Sequence, residues 1–103
     1  MNRLLLSDAL IIEGETKVTA REFFMSVQRA VNQGAWALQG TFGRSMMAAI
    51  EDGFCMLGTR AATDYWGNRI PARDAVRAGR MGSRDYVVQA MGEEWATLME
   101  AVP

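Results

Sequence analysis

Apolar positions recur at helical spacing in three stretches of the chain. The clearest opens with "TARE" at 19–22. There Thr19 can cap the free amides of a first helical turn while Glu22 reaches back to the cap. Phe23, Phe24, Val27, Ala30 and Val31 follow at the repeat of one helix face. A helix is predicted from Ala20 to Gln33, with Gly34 as its stop.

The second stretch is "FGRSMMAAIEDGFCML", with Thr41 as its cap. On a 3.6-residue period, Phe42, Met46, Ala49, Ile50, Gly53, Phe54 and Leu57 share a broad face, and Arg44, Glu51 and Asp52 lie opposite. Gly53 costs a helix about 1 kcal/mol against Ala, so an early end there competes with a final stop at Gly58. In the third stretch Ser83 caps a helix whose apolar face is Val87, Val88, Met91, Trp95, Leu98 and Met99, and Gly92 offers a point of division.

Between these stretches the period changes. "ALIIEGETKV", residues 9–18, reads as a strand, a turn at Gly14–Glu15 and a second extended piece. "AWALQG" is a connector of ambiguous pattern, and "TRAATDYWGNRIP" is a loop or hairpin whose turn chemistry is Trp66-Gly67-Asn68. Pro71 can open a short helix that Gly79 closes. The fold class expected is mainly α: a small single domain, residues 1–103, of three to four helices. A short N-terminal β-hairpin would make it α+β.

Composition narrows this picture. A chain of 103 residues has room for one core. Half the residues are apolar and 22% are charged, a globular balance. The opening "MNRLLLSDALII" is broken by Asp8 and lacks a small-residue cleavage site, so it does not read as a secretory leader. A single cysteine, Cys55, excludes an internal disulfide and favours a reducing compartment. The expectation is a cytoplasmic protein, of a host cell if phage-encoded, with no membrane contact.

The most informative count is zero histidines. Without imidazole the commonest general base, the usual serine and cysteine triads and two-histidine zinc sites are all missing. One cysteine excludes a thiolate zinc cluster. The chain is therefore expected not to be an enzyme, with no catalytic residue, metal or cofactor.

Two short motifs resemble functional ones. Glu15-Thr16-Lys17, with Asp8 as a second carboxylate, resembles the acid-x-lysine element of metal-dependent nucleases. That core needs several strands, and strand candidates end at Val18; a polar turn explains the same residues. "AGRMGS" resembles the Gly-x-x-Gly loop of KH RNA-binding domains, with Arg80 inside it. Asp85 stands where that pattern has an apolar residue, so a helix stop and turn is the better reading.

Two surface features carry the functional expectation. Arg69, Arg73, Arg77, Arg80 and Arg84 step at helical spacing, and residues 60–84 hold six Arg against Asp64 and Asp74. Pro71, Gly79 and Gly82 interrupt any single helix there. A solvated face competes with an anion-binding or acidic-protein surface. The second feature is an aromatic set of Trp36, Phe42, Tyr65, Trp66, Tyr86 and Trp95. Within it Tyr65-Trp66 lies in a polar turn beside Arg60 and Arg69, the composition of an interface hot spot. The partner- or anion-binding set is therefore Arg60, Tyr65, Trp66, Arg69, Arg73, Arg77, Arg80 and Arg84. Phe42, Met46, Ile50 and Phe54 form a candidate homodimer face.

These features predict a small non-catalytic binding protein. In general character it is similar to phage or mobile-element inhibitors, anti-CRISPR proteins among them, that sterically block a host protein or nucleoprotein complex. The sequence pI of 5.4 favours a protein or nucleoprotein partner over free nucleic acid. The alternative is a nucleic-acid-binding regulatory module that grips phosphate through the Arg69–Arg84 stripe.

Overall fold

The computed structural model describes residues 6–37 and 40–103. Five α-helices and one small hairpin follow in the order α1 (Leu6–Ile12), α2 (Ala20–Asn32), α3 (Gly40–Glu51), β1 (Ala62–Thr63), β2 (Arg69–Ile70), α4 (Arg84–Met91) and α5 (Glu93–Glu100). Single 3-10 turns at Ala35–Ala37 and Arg73–Ala75 complete the regular structure. The radius of gyration is 12.4 Å, close to the ~13 Å of one packed body of 100 residues. The domain is mainly α, as its periodicity predicts.

Helix α2 is the centre, packing against α1, α3 and α5. Its capping box forms: the Thr19 hydroxyl accepts from the Glu22 N–H at 3.1 Å, and the Glu22 carboxylate accepts from the Thr19 N–H at 3.1 Å. Val27, Ala30 and Val31 are buried beneath it. Helix α3 begins at Gly40, so Thr41 falls within its first turn, and it ends at Glu51. Gly53 terminates it in a left-handed conformation, φ +83°, pressed against Ala90 of α4. Ser83 caps α4 through the Tyr86 N–H, and Gly92 at φ +97° separates α4 from α5.

The N-terminal segment differs from its expected β-hairpin. Residues 6–12 form α1, and Gly14 closes the turn after it. Among residues 7–12 of α1 the buried positions are Asp8 and Ile12, four residues apart, with Leu10 exposed. Asp8 disguises that helical repeat, because a carboxylate does not count as apolar. It is only 1% exposed and pairs with Arg29 of α2 at 2.7 Å. The β-component lies instead in residues 62–70, where Ala62 pairs with Ile70 and Thr63 with Arg69 in an antiparallel ladder. The predicted 71–79 helix is only the turn at Arg73–Ala75. Residues 1–5 of the opening segment and Leu38–Gln39 of the connector lie outside the described residues.

Residues 54–58 run through the interior without regular structure. Cys55, Met56 and Leu57 are buried, and buried backbone amides and carbonyls need partners. Side chains and loops supply them. The Gln28 amide accepts from Met56 N–H at 2.8 Å and donates to the Met56 carbonyl at 2.9 Å, as a neighbouring strand would. Leu57 N–H donates to the Gly82 carbonyl, and Arg73 Nε donates to the Leu57 carbonyl at 2.7 Å. Cys55 Sγ donates to the Phe24 carbonyl. Gly82, at φ +94°, lies so close to Leu57 that a Cβ there would stand 2.6 Å from Cδ1.

Candidate binding site at the hairpin tip

The loop between β1 and β2 is organised by Asp64. Its backbone carbonyl accepts from Gly67 N–H at 3.1 Å, closing a four-residue turn, and Gly67 takes φ +85° to lead the chain back. One carboxylate oxygen accepts from the N–H groups of Trp66, at 2.9 Å, and Asn68, at 2.8 Å. The other accepts from Asn68 Nδ2 at 3.2 Å. Desolvation raises the Asp64 pKa, but the donors from Asn68, Trp66 and Gly67 outweigh it, and the net direction is downward. The carboxylate is therefore ionised and occupied within its own turn.

This turn holds two aromatic side chains in solvent. Tyr65 is 61% exposed and Trp66 66%, with ring centroids 5.4 Å apart and an interplanar angle of 84°. The other predicted aromatics serve the fold. Trp36 is buried, Phe42 packs on the core, Tyr86 donates to the Glu51 carbonyl and Trp95 Nε1 donates to the Phe54 carbonyl. Tyr65 and Trp66 are thus the members of the set left for an external contact.

Trp66 also walls a cleft of about 190 Å³ between the hairpin and α3. Trp36, Met47 and Ile70 supply its apolar surface, Gly43 opens it on the helix side, and Arg44 and Asp64 stand at it. Sequence reasoning missed Trp36, Gly43, Arg44, Met47, Asp64 and Ile70 as site residues. Arg44 had a signal, its place on the polar face of α3. The pairing of that face with the hairpin had none, since it joins residues some twenty positions apart.

The arginines divide into two groups. Arg73 is half-buried and structural: besides the Leu57 carbonyl, its Nη2 reaches Asn32 Oδ1 at 3.3 Å. Burial lowers its pKa against the opposing pull of Glu100 and Asp74. Arg84 bonds Glu93 at 2.7 Å, Glu100 at 3.0 Å and Thr97 at 3.0 Å, fastening α4 to α5; these carboxylates raise its pKa. Both arginines meet at one polar depression, but Asp74, Asp85 and Glu100 share it, which balances their charge. Arg60, Arg69, Arg77 and Arg80 are exposed, and none makes a salt bridge among the described residues. Two of the five arginines of the stripe, Arg73 and Arg84, are therefore already paired within the chain, and no single helix carries the set.

The candidate dimer face is likewise taken up internally. Met46 and Ile50 are 0% and 1% exposed within the chain's own core, and Phe54 stacks on Phe24 at 4.1 Å. Phe42 packs against the same core. The Met-rich helix needs no second copy to bury this face.

Among the described residues no three His, Cys, Asp or Glu side chains converge as a metal site, and no helix is long and apolar enough to cross a membrane. Burial pushes the Cys55 thiol up to about 12, so it is a protonated core group at neutral pH. The acid-x-lysine turn leaves Glu15, Thr16 and Lys17 exposed after α1, with Asp8 directed to Arg29 instead of toward them. No protein-family profile, curated protein or solved structure matches the chain.

Proposed function

We propose that this is a non-catalytic binding protein that docks its Tyr65–Trp66 tip onto a protein or nucleoprotein partner. The observation that carries the reading is the aromatic pair itself, about two-thirds exposed on a turn locked by Asp64. Large apolar rings left in water lose the stabilisation that burial would give, about 1.5–3 kcal/mol for a side chain of this size. A locked turn presents them with its backbone already ordered, which lowers the cost of binding. Aromatic anchors with arginine beside them are the usual centre of an interface, and Arg44 at the cleft and Arg69 at the tip end of β2 supply the cations. The steric-inhibitor form of this reading, similar to anti-CRISPR proteins, draws on the chain's size and on the lack of a catalytic constellation among the described residues. In that form the tip occupies a surface its target needs.

The nucleic-acid alternative is the weaker one. A phosphate track needs successive free cations, and Arg73, half-buried, and Arg84, on the surface, are already paired within the chain. The test compares the wild type with Tyr65→Ala/Trp66→Ala in partner capture and in titration with labelled single- and double-stranded DNA and RNA. The expected result is a protein partner lost by the double variant at an almost unchanged thermal midpoint, with no salt-steep nucleic-acid binding. Capture unaffected by the double substitution, or tight binding to free nucleic acid with a steep salt slope, would overturn the reading.

A further inference from the structure

We propose that the cleft beneath Trp66 receives one large apolar side chain from a partner segment whose flanking residues are acidic. The inference rests on the docking-tip reading and gives that site its ligand chemistry. Size is the first argument. About 190 Å³ falls below the ~300 Å³ at which small-molecule and cofactor pockets begin, and suits a single anchoring side chain. The lining is the second: Trp36, Met47, Ile70 and the Trp66 ring offer apolar walls, and the one carboxylate at the cleft, Asp64, is held by its own turn.

Charge is the third argument. Arg44 lines the cleft and Arg69 flanks the tip, both exposed and neither in a salt bridge among the described residues. Two cations stand here against the single ionised carboxylate of Asp64, which is already saturated by its own turn, so a segment with carboxylates beside its anchor is favoured over a basic one. The ring geometry weighs against a nucleic acid as occupant. Tyr65 and Trp66 meet edge to face at 84°, which leaves no pair of parallel faces on which successive bases could stack.

Gly43 allows a direct test. It lies inside α3 and lines the cleft, and a Cβ built there meets nothing within 4 Å. Gly43→Leu therefore adds a bulky side chain at the cleft wall without a clash at its Cβ and replaces a helical glycine with a good helix former. The probe is an acetylated pentapeptide with a central phenylalanine between paired glutamates. Its controls carry a central alanine, or paired lysines in place of the glutamates, and oligothymidylate is titrated separately. Binding is read from the indole Nε1–H resonances of Trp36 and Trp66 by nuclear magnetic resonance.

The phenylalanine peptide is expected to shift both indoles, with the alanine version at least about tenfold weaker, from the apolar area it lacks. Gly43→Leu and Arg44→Glu should each abolish the response at an unchanged or higher thermal midpoint for Gly43→Leu. Equal binding of the alanine peptide, a response to oligothymidylate alone, or no shift at millimolar peptide would each overturn the inference. Partner capture separates the two readings. If Tyr65→Ala/Trp66→Ala abolishes capture while Gly43→Leu preserves it, the cleft inference fails and the docking tip stands; if both preserve capture, the docking tip fails too.

Discussion

Gln28 should be the most sensitive polar residue in the domain. It is fully buried in the middle of α2, and its amide both accepts from and donates to the backbone of Met56, itself fully buried. Gln28→Ala removes both partners at once and leaves an N–H and a carbonyl with no water to replace them. Each unsatisfied buried group costs about 1–3 kcal/mol, and the truncation opens a void besides. The two groups together come to about 2–6 kcal/mol before the void is counted, a large share of the ~5–15 kcal/mol that stabilises a typical domain. The thermal midpoint should fall by roughly 15–30 °C, measured by circular dichroism and by urea titration of tryptophan fluorescence.

Gln28→Glu separates hydrogen bonding from size. A carboxylate keeps the bond from Met56 N–H but presents a bare oxygen to two acceptors now bonded by Nε2, the Met56 carbonyl and Asn32 Oδ1. Protonation would restore one donor, so the folded pKa of this new glutamate lies above its unfolded value. The variant should therefore be weakest near neutral pH and recover part of its deficit as pH falls toward the unfolded glutamate value of about 4.3. A loss below about 1 kcal/mol for Gln28→Ala, or a Gln28→Glu deficit indifferent to pH, would refute the view that this amide substitutes for a strand.

Two further predictions concern charge and thiol chemistry. Hydrogen bonding and attraction from Arg84 hold the Glu93 carboxyl below its ordinary 4.5. Its contribution to stability is therefore complete above that value and lost as pH falls through the lower folded value. Arg84→Gln should flatten the acid limb of the midpoint-versus-pH curve below pH 4.5, and salt at about 1 M should flatten it in the wild type, because exposed pairs are screened; superimposable curves for variant and wild type would count against the pair. Cys55, raised to about 12 by burial, should resist a disulfide-exchange reagent at about pH 8 until urea unfolds the chain. Stoichiometric labelling within seconds in native buffer would show that the 54–58 segment opens on its own.

Local signals were the legible part of the sequence. "TARE", Ser83 and Gly92 each act within one helical turn, and each cap or break stands where its chemistry predicts. The N-terminal helix was illegible because its inward face includes a carboxylate whose partner, Arg29, lies 21 positions away. No window of local pattern contains that pair. The same reason hid the 54–58 segment, whose backbone is satisfied by Gln28 and Arg73 from two different parts of the chain. The arginine spacing misled in the opposite sense: a helical repeat across Pro71, Gly79 and Gly82 implies a common face only if a helix forms, and none spans it.

The candidate site follows from how the polar side chains are spent. Gln28 and Arg73 substitute for regular structure around residues 56 and 57, and Asn32 accepts from both side chains while holding the Val102 carbonyl at 2.9 Å. Arg84 fastens the last two helices. Each of these is committed to the fold, and changing it should lower stability before it changes any contact. Tyr65 and Trp66 are the converse case, since they contribute little burial and are held outward by a carboxylate three bonds deep in its own turn. A side chain that the fold does not need, placed by one that is locked, is where a substitution can remove binding and leave the domain intact. The separation of these two effects, stability for the interior set and binding for the tip, is the outcome that a structural role for Trp66 could not reproduce.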